Sequence, residues 1–187
     1  MKSEEHLPKT AVVGLGNVLM ADDAFGPTFV RWLEANYEVP ESIEVIDLGT
    51  PGNDLYPHLV DRDVVIVVDT VRFDGAPGTL RVYTRDEIVQ HVPHARVSPH
   101  DPGLKETLLS LEFAGHMPRQ VLLVGVIPES TGSELGLSEA VRSSIESAGE
   151  AVVEALRREG HAVPRREVAE ALDLWWEKPV PPSESVR

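Results

Sequence analysis

Four aspartates and one histidine are the side chains best placed to do chemistry here. Asp22 and Asp23 stand side by side soon after an apolar run at residues 11–13, Asp47 falls in a second run at 43–48, and Asp69 directly follows the branched run VVIVV at 64–68. His100 sits in Ser98-Pro99-His100-Asp101, just before a helix entry made by an aspartate and a proline. Carboxylates carried by three separate strand ends should face one crevice. Two carboxylates and an imidazole suit a transition-metal ion and leave positions for further ligands. The plainer account is that Asp22 caps a helix, Asp23 is solvated, and His100 is structural, as single histidines usually are.

The loop carrying the acid pair, VGLGNVLMADDAFG at residues 13–26, narrows the choice of ligand. Gly14-Leu15-Gly16 begins like the dinucleotide fingerprint G-x-G-x-x-G, whose backbone N–H groups cradle pyrophosphate. Leu19 occupies the place of the third glycine, and no Lys or Arg lies between Lys9 and Arg31. Two carboxylates repel a phosphate; they suit a cation, or a hydrogen-bond donor on a peptide.

The elements around these residues alternate. An apolar run, a glycine turn and an amphipathic stretch at 28–33 read as strand, loop and helix, the opening of an open α/β sheet. Its ligands lie beyond the carboxyl ends of the strands. Residues 43–48, 64–68 and 120–127 read as further strands, the second of these buried on both faces. Residues 79–83 alternate apolar and polar, as an exposed, antiparallel edge strand would. Helices are expected from about 102 to 113, stopped by Gly115, and from Ser138 to Gly160, with Val141, Ile145, Ala148, Val152 and Ala155 on one face. Strand–helix alternation implies parallel pairing with right-handed crossovers and helices on both faces.

Residues 1–163 form one α/β domain on this reading, and 164–187 an extension. In the extension Val168, Leu172 and Trp175 share a helical face, with an unstructured, proline- and serine-rich end beyond. Trp175 and Trp176 are either a partner anchor or a short helix docked on its own domain. The chain of 187 residues is 42% hydrophobic and 26% charged, as ordinary globular domains are. A formal charge of -14 disfavours nucleic acid and anionic membranes. The absence of cysteine excludes disulfides, thiolate ligands and a cysteine nucleophile, and fits a cytoplasmic protein. No apolar run approaches the roughly 18 residues of a membrane span. The polar opening MKSEEHLPKT is not expected to be a secretory leader. Neither a Gly-x-Ser-x-Gly elbow nor a His-Glu-x-x-His motif occurs.

Residues 14–26 resemble the signature G-x-G-N-x-L-x-x-D-[DE]-x-x-G of the hydrogenase maturation endopeptidases. Asp47-Leu48-Gly49-Thr50, Val68-Asp69, Ser98-Pro99-His100 and Gly125-Val126-Ile127-Pro128-Glu129-Ser130 match further motifs of that family in the same order. The resemblance spans roughly residues 10–160. It implies a three-layer α/β/α sandwich around a twisted, mostly parallel sheet. It also implies removal of a C-terminal peptide from the precursor large subunit of a [NiFe] hydrogenase once nickel is installed. By motif position the metal-contacting and catalytic trio is Asp23, Asp69 and His100, with Asp22 and Asp47 behind it.

On this reading the trio grips nickel supplied by the substrate, and no cofactor is tightly bound. Asp23 or Asp69 is the candidate base of an aspartyl-type endopeptidase, and the protein is a monomer when free. Two other readings stand beside it: a non-catalytic nickel-binding chaperone or sensor of the same precursor, and, more distantly, a dinucleotide oxidoreductase using Asp47 on a ribose.

Overall fold

A computed structural model describes residues 7–91 and 103–178. Its five strands are β1 (Thr10–Leu15), β2 (Ile43–Gly49), β3 (Val64–Thr70), β4 (Leu80–Thr84) and β5 (Gln120–Val126). They form one sheet in the order β2-β1-β3-β5-β4. All pairs are parallel except β4 with β5, which is antiparallel, so the expected edge strand is at the edge.

Period-two burial explains the layers. In β3, Val64, Ile66 and Val68 face one core with Phe25, Phe29 and Leu33 of α1 (Phe25–Asn36) and with Val152 and Leu156 of a helix near the C-terminus. Val65 and Val67 face the other core, with Leu59 of the short α2 (Tyr56–Leu59), Ile88 of α3 (Arg85–His91), and Leu108 and Leu111 of α4 (Leu104–Ala114). All seven residues of β3 are buried, as a central strand covered on both sides must be. The result is the α/β/α sandwich expected of the sequence.

Three expectations change. The helix read from Ser138 to Gly160 is two helices, α5 (Glu139–Ser143) and α6 (Ile145–Arg158). Ser138 does cap α5, its Oγ accepting the N–H of Val141, but Ser144 breaks the run, donating its hydroxyl to the Val141 carbonyl at 2.7 Å. The helix before Gly115 starts at Leu104, with Gly103 at its N-cap, and Asp101 and Pro102 lie outside the described residues. Gly115 ends it in the left-handed conformation at φ 74°.

The helical face of Val168, Leu172 and Trp175 does not form. Instead residues 163–174 run as a strap, with Arg165 bridging Tyr37. The N–H groups of Arg166 and Glu170 donate to the carbonyls of Asn36 and Ala35 at 2.8 Å each. Those carbonyls are the unpaired acceptors at the end of α1, so tertiary demand overrides the local period. A 3-10 turn at Trp175–Glu177 follows, with Trp176 buried and Trp175 exposed. The two indoles thus have different roles: one docks on the domain and the other faces solvent. The proline- and serine-rich end lies outside the described residues. No helix among the described residues is long and apolar enough to cross a membrane.

Candidate active site

The strand order places the site. From β1 the chain crosses through α1 to β2 on one side, and then returns to β3 on the other side of β1. The crevice of an open sheet opens at such a reversal, beyond the carboxyl ends of the strands. Asp69 is the sixth residue of β3, and Asp23 lies in the 3-10 turn Ala21–Ala24 that links β1 to α1.

Glycines bring this turn close to the sheet. A Cβ on Gly14 would lie 2.5 Å from the Gly26 carbonyl oxygen, and one on Gly26 would lie 2.2 Å from that of Leu15. Helix α1 therefore sits on β1 closer than any side chain allows. At Gly16, φ is +149° and a Cβ would lie 1.8 Å from the Asp23 carbonyl oxygen, so this position is closed to other residues. The glycine spacing that imitates a phosphate loop is here a packing requirement.

The paired acids then separate. Asp22 is fully buried, and its carboxyl accepts three backbone N–H groups: Glu129 at 2.8 Å and Ser130 at 3.1 Å on Oδ2, and Ser138 at 2.6 Å on Oδ1. It thereby fastens the loop after β5 to the turn after β1, and caps no helix of its own. Ala21, beside it, holds a left-handed φ of 42°, and is fixed there by its N–H to the Glu134 carbonyl at 2.7 Å. Strain of this kind persists where surrounding contacts enforce it, commonly at functional sites.

Asp23 is half-buried, and faces β3. Its Oδ2 accepts the Asn17 N–H at 2.8 Å, and its Oδ1 accepts the hydroxyl of Thr70 at 3.2 Å. Thr70 also donates its N–H to Asp69 Oδ1 at 2.8 Å, and Asp69 is only 3% exposed. One residue thus touches both acids of the predicted trio. Asp47 stays further out: its Oδ1 accepts the N–H of Gly49 at 2.9 Å, and the Gly49 carbonyl accepts the N–H of Gly16 at 2.8 Å. It supports the loop through that turn.

His100 lies outside the described residues, so the structure brings together two of the predicted trio. Among the described residues no group of three His, Cys, Asp or Glu side chains is placed to hold a metal ion. Sequence reasoning missed Thr70, although a hydroxyl residue directly after a strand-end aspartate was a readable signal. It also missed the part played by the backbone of Glu129, Ser130 and Ser138, which side-chain types do not reveal.

Comparison with known proteins now decides the family. The family model described as hydrogenase maturation protease (HycI) matches residues 27–155. The chain is 41% identical over 159 residues to the hydrogenase 2 maturation protease of Escherichia coli K12, covering 84% of this chain and 96% of that relative. This chain belongs to the hydrogenase maturation protease family. It is therefore a peptide hydrolase, like its relatives. The hydrogenase expression/formation protein HoxM of Azotobacter vinelandii is 36% identical over 154 residues, 82% of this chain and 74% of that protein.

Among solved structures, the E. coli hydrogenase maturating endopeptidase HybD superposes with a TM-score of 0.75 at 36% identity, over 84% of this chain and 98% of that one. The hydrogenase 2 maturation peptidase from a Thaumarchaeota archaeon does so with a TM-score of 0.61 at 35% identity, over 80% of this chain and 98% of that one. The family model begins after Asp22 and Asp23 and ends before the strap.

Proposed function

We propose that this protein is an endopeptidase that removes a C-terminal peptide from the precursor of a [NiFe] hydrogenase large subunit after nickel insertion. Nickel held by that substrate is gripped by Asp23, Asp69 and His100. The observation that carries the reading is the carboxylate pair at the reversal between β1 and β3, tied to one threonine and flanked by a loop fastened through Asp22. Family membership supplies the reaction class, and the acid pair supplies groups suited to a divalent cation.

Two carboxylates and one imidazole without a thiolate make a modest site when alone. A nickel ion already ligated by the precursor needs fewer new ligands, so metal and polypeptide are recognised together. Without nickel the acids face no cation, and the interface carries uncompensated charge. Once docked, a water polarised near the metal attacks the scissile carbonyl carbon with Asp23 or Asp69 as base. Addition forms the C–O bond and places the carbonyl π pair on oxygen; collapse of this tetrahedral adduct then breaks the C–N bond, and the base passes the water's proton to the leaving amine. The substrate is cytoplasmic on this reading, because the metal is inserted where the precursor is made.

Mass spectrometry of a co-expressed precursor tests the reading. A mass loss equal to a C-terminal peptide is expected, and none with Asp23→Asn, Asp69→Asn or His100→Ala. An unchanged mass with a stable complex would mean a non-cutting nickel chaperone. Chelator-treated enzyme should still cut nickel-loaded precursor and leave nickel-free precursor intact. Efficient cleavage of nickel-free precursor by metal-free enzyme overturns the proposed role of nickel.

A further inference from the structure

We infer that Thr70 is a positioning residue of this same site, holding the carboxylates of Asp23 and Asp69 in one fixed arrangement. The inference rests on the function proposed above and deepens it. Thr70 is 3% exposed and is the last residue of β3. It pairs with Val126 of β5, and the next residue, Val71, donates its N–H to the Val126 carbonyl at 2.9 Å. Its backbone is therefore locked in the sheet, and β-branching makes its χ1 stiff.

From this rigid point two hydrogen bonds leave, the N–H to Asp69 Oδ1 at 2.8 Å and the hydroxyl to Asp23 Oδ1 at 3.2 Å. The other oxygen of Asp23 is held by the Asn17 N–H at 2.8 Å. Donors on both oxygens fix the plane of the Asp23 carboxyl, whose χ2 is otherwise soft. The bonds do not exhaust the group, because a carboxylate has about four lone-pair sites. What remains can meet a cation carried in by the substrate. Remove the hydroxyl, and Asp23 is free to turn about its single remaining bond to Asn17, so the two acids lose their common orientation.

A buried threonine can also be mere packing, and two substitutions separate the roles. Thr70→Val keeps shape and branching but removes the hydroxyl, whereas Thr70→Ser keeps the hydroxyl and removes the methyl. Cleavage of nickel-loaded precursor is measured for both, with Asp23→Asn alongside and melting curves for all.

Loss of an outer hydrogen-bonding partner of a metal-gripping group typically costs about 10- to 100-fold in activity or metal affinity. We expect a loss of that size in kcat/KM for Thr70→Val. Binding of free Ni²⁺, read by calorimetry, should fall in parallel, and Thr70→Ser should stay nearer the unsubstituted protein than the Val variant. If Thr70→Val does not fold, Thr70→Ala replaces it with the same outcomes. Equal losses in the Ser and Val variants show that keeping the hydroxyl confers no advantage, and overturn the inference. Unchanged cleavage by Thr70→Val with none by Asp23→Asn overturns it too, while leaving the proposed function in place. Cleavage by Asp23→Asn instead removes the site reading on which both rest.

Discussion

Replacing Asp22 by alanine should loosen the site's outer wall without touching the acids that face it. The Asp22 carboxyl accepts the N–H groups of Glu129, Ser130 and Ser138 at 2.8, 3.1 and 2.6 Å. Truncation leaves all three without that acceptor. An unsatisfied buried N–H costs about 1–3 kcal/mol. Ser130 and Ser138 are half-buried and Glu129 is exposed, so water reaches part of the freed backbone, and the lower end applies. Three donors at about 1 kcal/mol each give a loss of about 3 kcal/mol. For a chain of this length that corresponds to a fall of roughly 6–12 °C in melting temperature. Asp22→Asn keeps the volume and one acceptor oxygen but turns an NH₂ toward at least one donor, so it should fall between alanine and the unsubstituted protein. Melting curves give the magnitudes, and hydrogen exchange gives the location, with lost protection expected at the amides of 129, 130 and 138. A melting temperature within about 2 °C of the parent, or unchanged protection at those amides, would refute the fastening role.

The strap predicts unequal tryptophans. Trp176→Ala should cost about 3–5 kcal/mol, as truncation of a buried aromatic does, whereas Trp175→Ala, at a position 62% exposed, should leave the melting curve nearly unchanged. Equal effects would contradict the assigned orientations. At the opposite end of the sheet, buried His161 meets the Thr10 hydroxyl at 2.9 Å, and the Ser42 hydroxyl at 3.4 Å. Burial pulls its pKa below the ordinary histidine value, against the opposing charge of Glu159. The unfolded chain therefore binds the proton first, and stability falls as pH drops through about 6.5 toward the folded value. Unfolding free energies between pH 7.5 and 5.5 should show this slope, and His161→Gln should flatten it; an unchanged slope in the variant refutes the assignment.

The sheet was legible because burial writes itself into composition. Residues 64–68 are all β-branched, a pattern that only a strand covered on both faces requires, and 79–83 alternate as an edge strand does. The helix ends were legible at Ser138 and Gly115, where a cap or a left-handed residue is a local need. The strap was not. Val168, Leu172 and Trp175 do share a helical period, but the free carbonyls of Ala35 and Asn36 more than a hundred residues away claim the backbone donors. No local window contains that competition. Ser144 misled for a related reason: its side chain turns back on its own helix, and the apolar period continues across the break. At the site, residue types singled out the acids but not which way they face.

Asp22 and Asp23 show why that direction is invisible in residue type alone. They are adjacent and identical in type, and only position in the family's signature set Asp23 in the expected trio and Asp22 behind it. Folding separates them through a single geometrical fact: successive residues in a tight 3-10 turn point about 120° apart. Once Gly16 and Gly26 have seated the turn against the sheet, one carboxyl must enter the protein and the other must face β3. The inward one can persist only if backbone donors meet it, and the loop after β5 supplies three. The outward one can be held for chemistry only if its neighbours restrain it without exhausting it, which is what two donors do for a group with about four acceptor sites. Loss of Asp22 should therefore appear first in stability and loss of Asp23 first in cleavage, although the sequence writes them with the same letter.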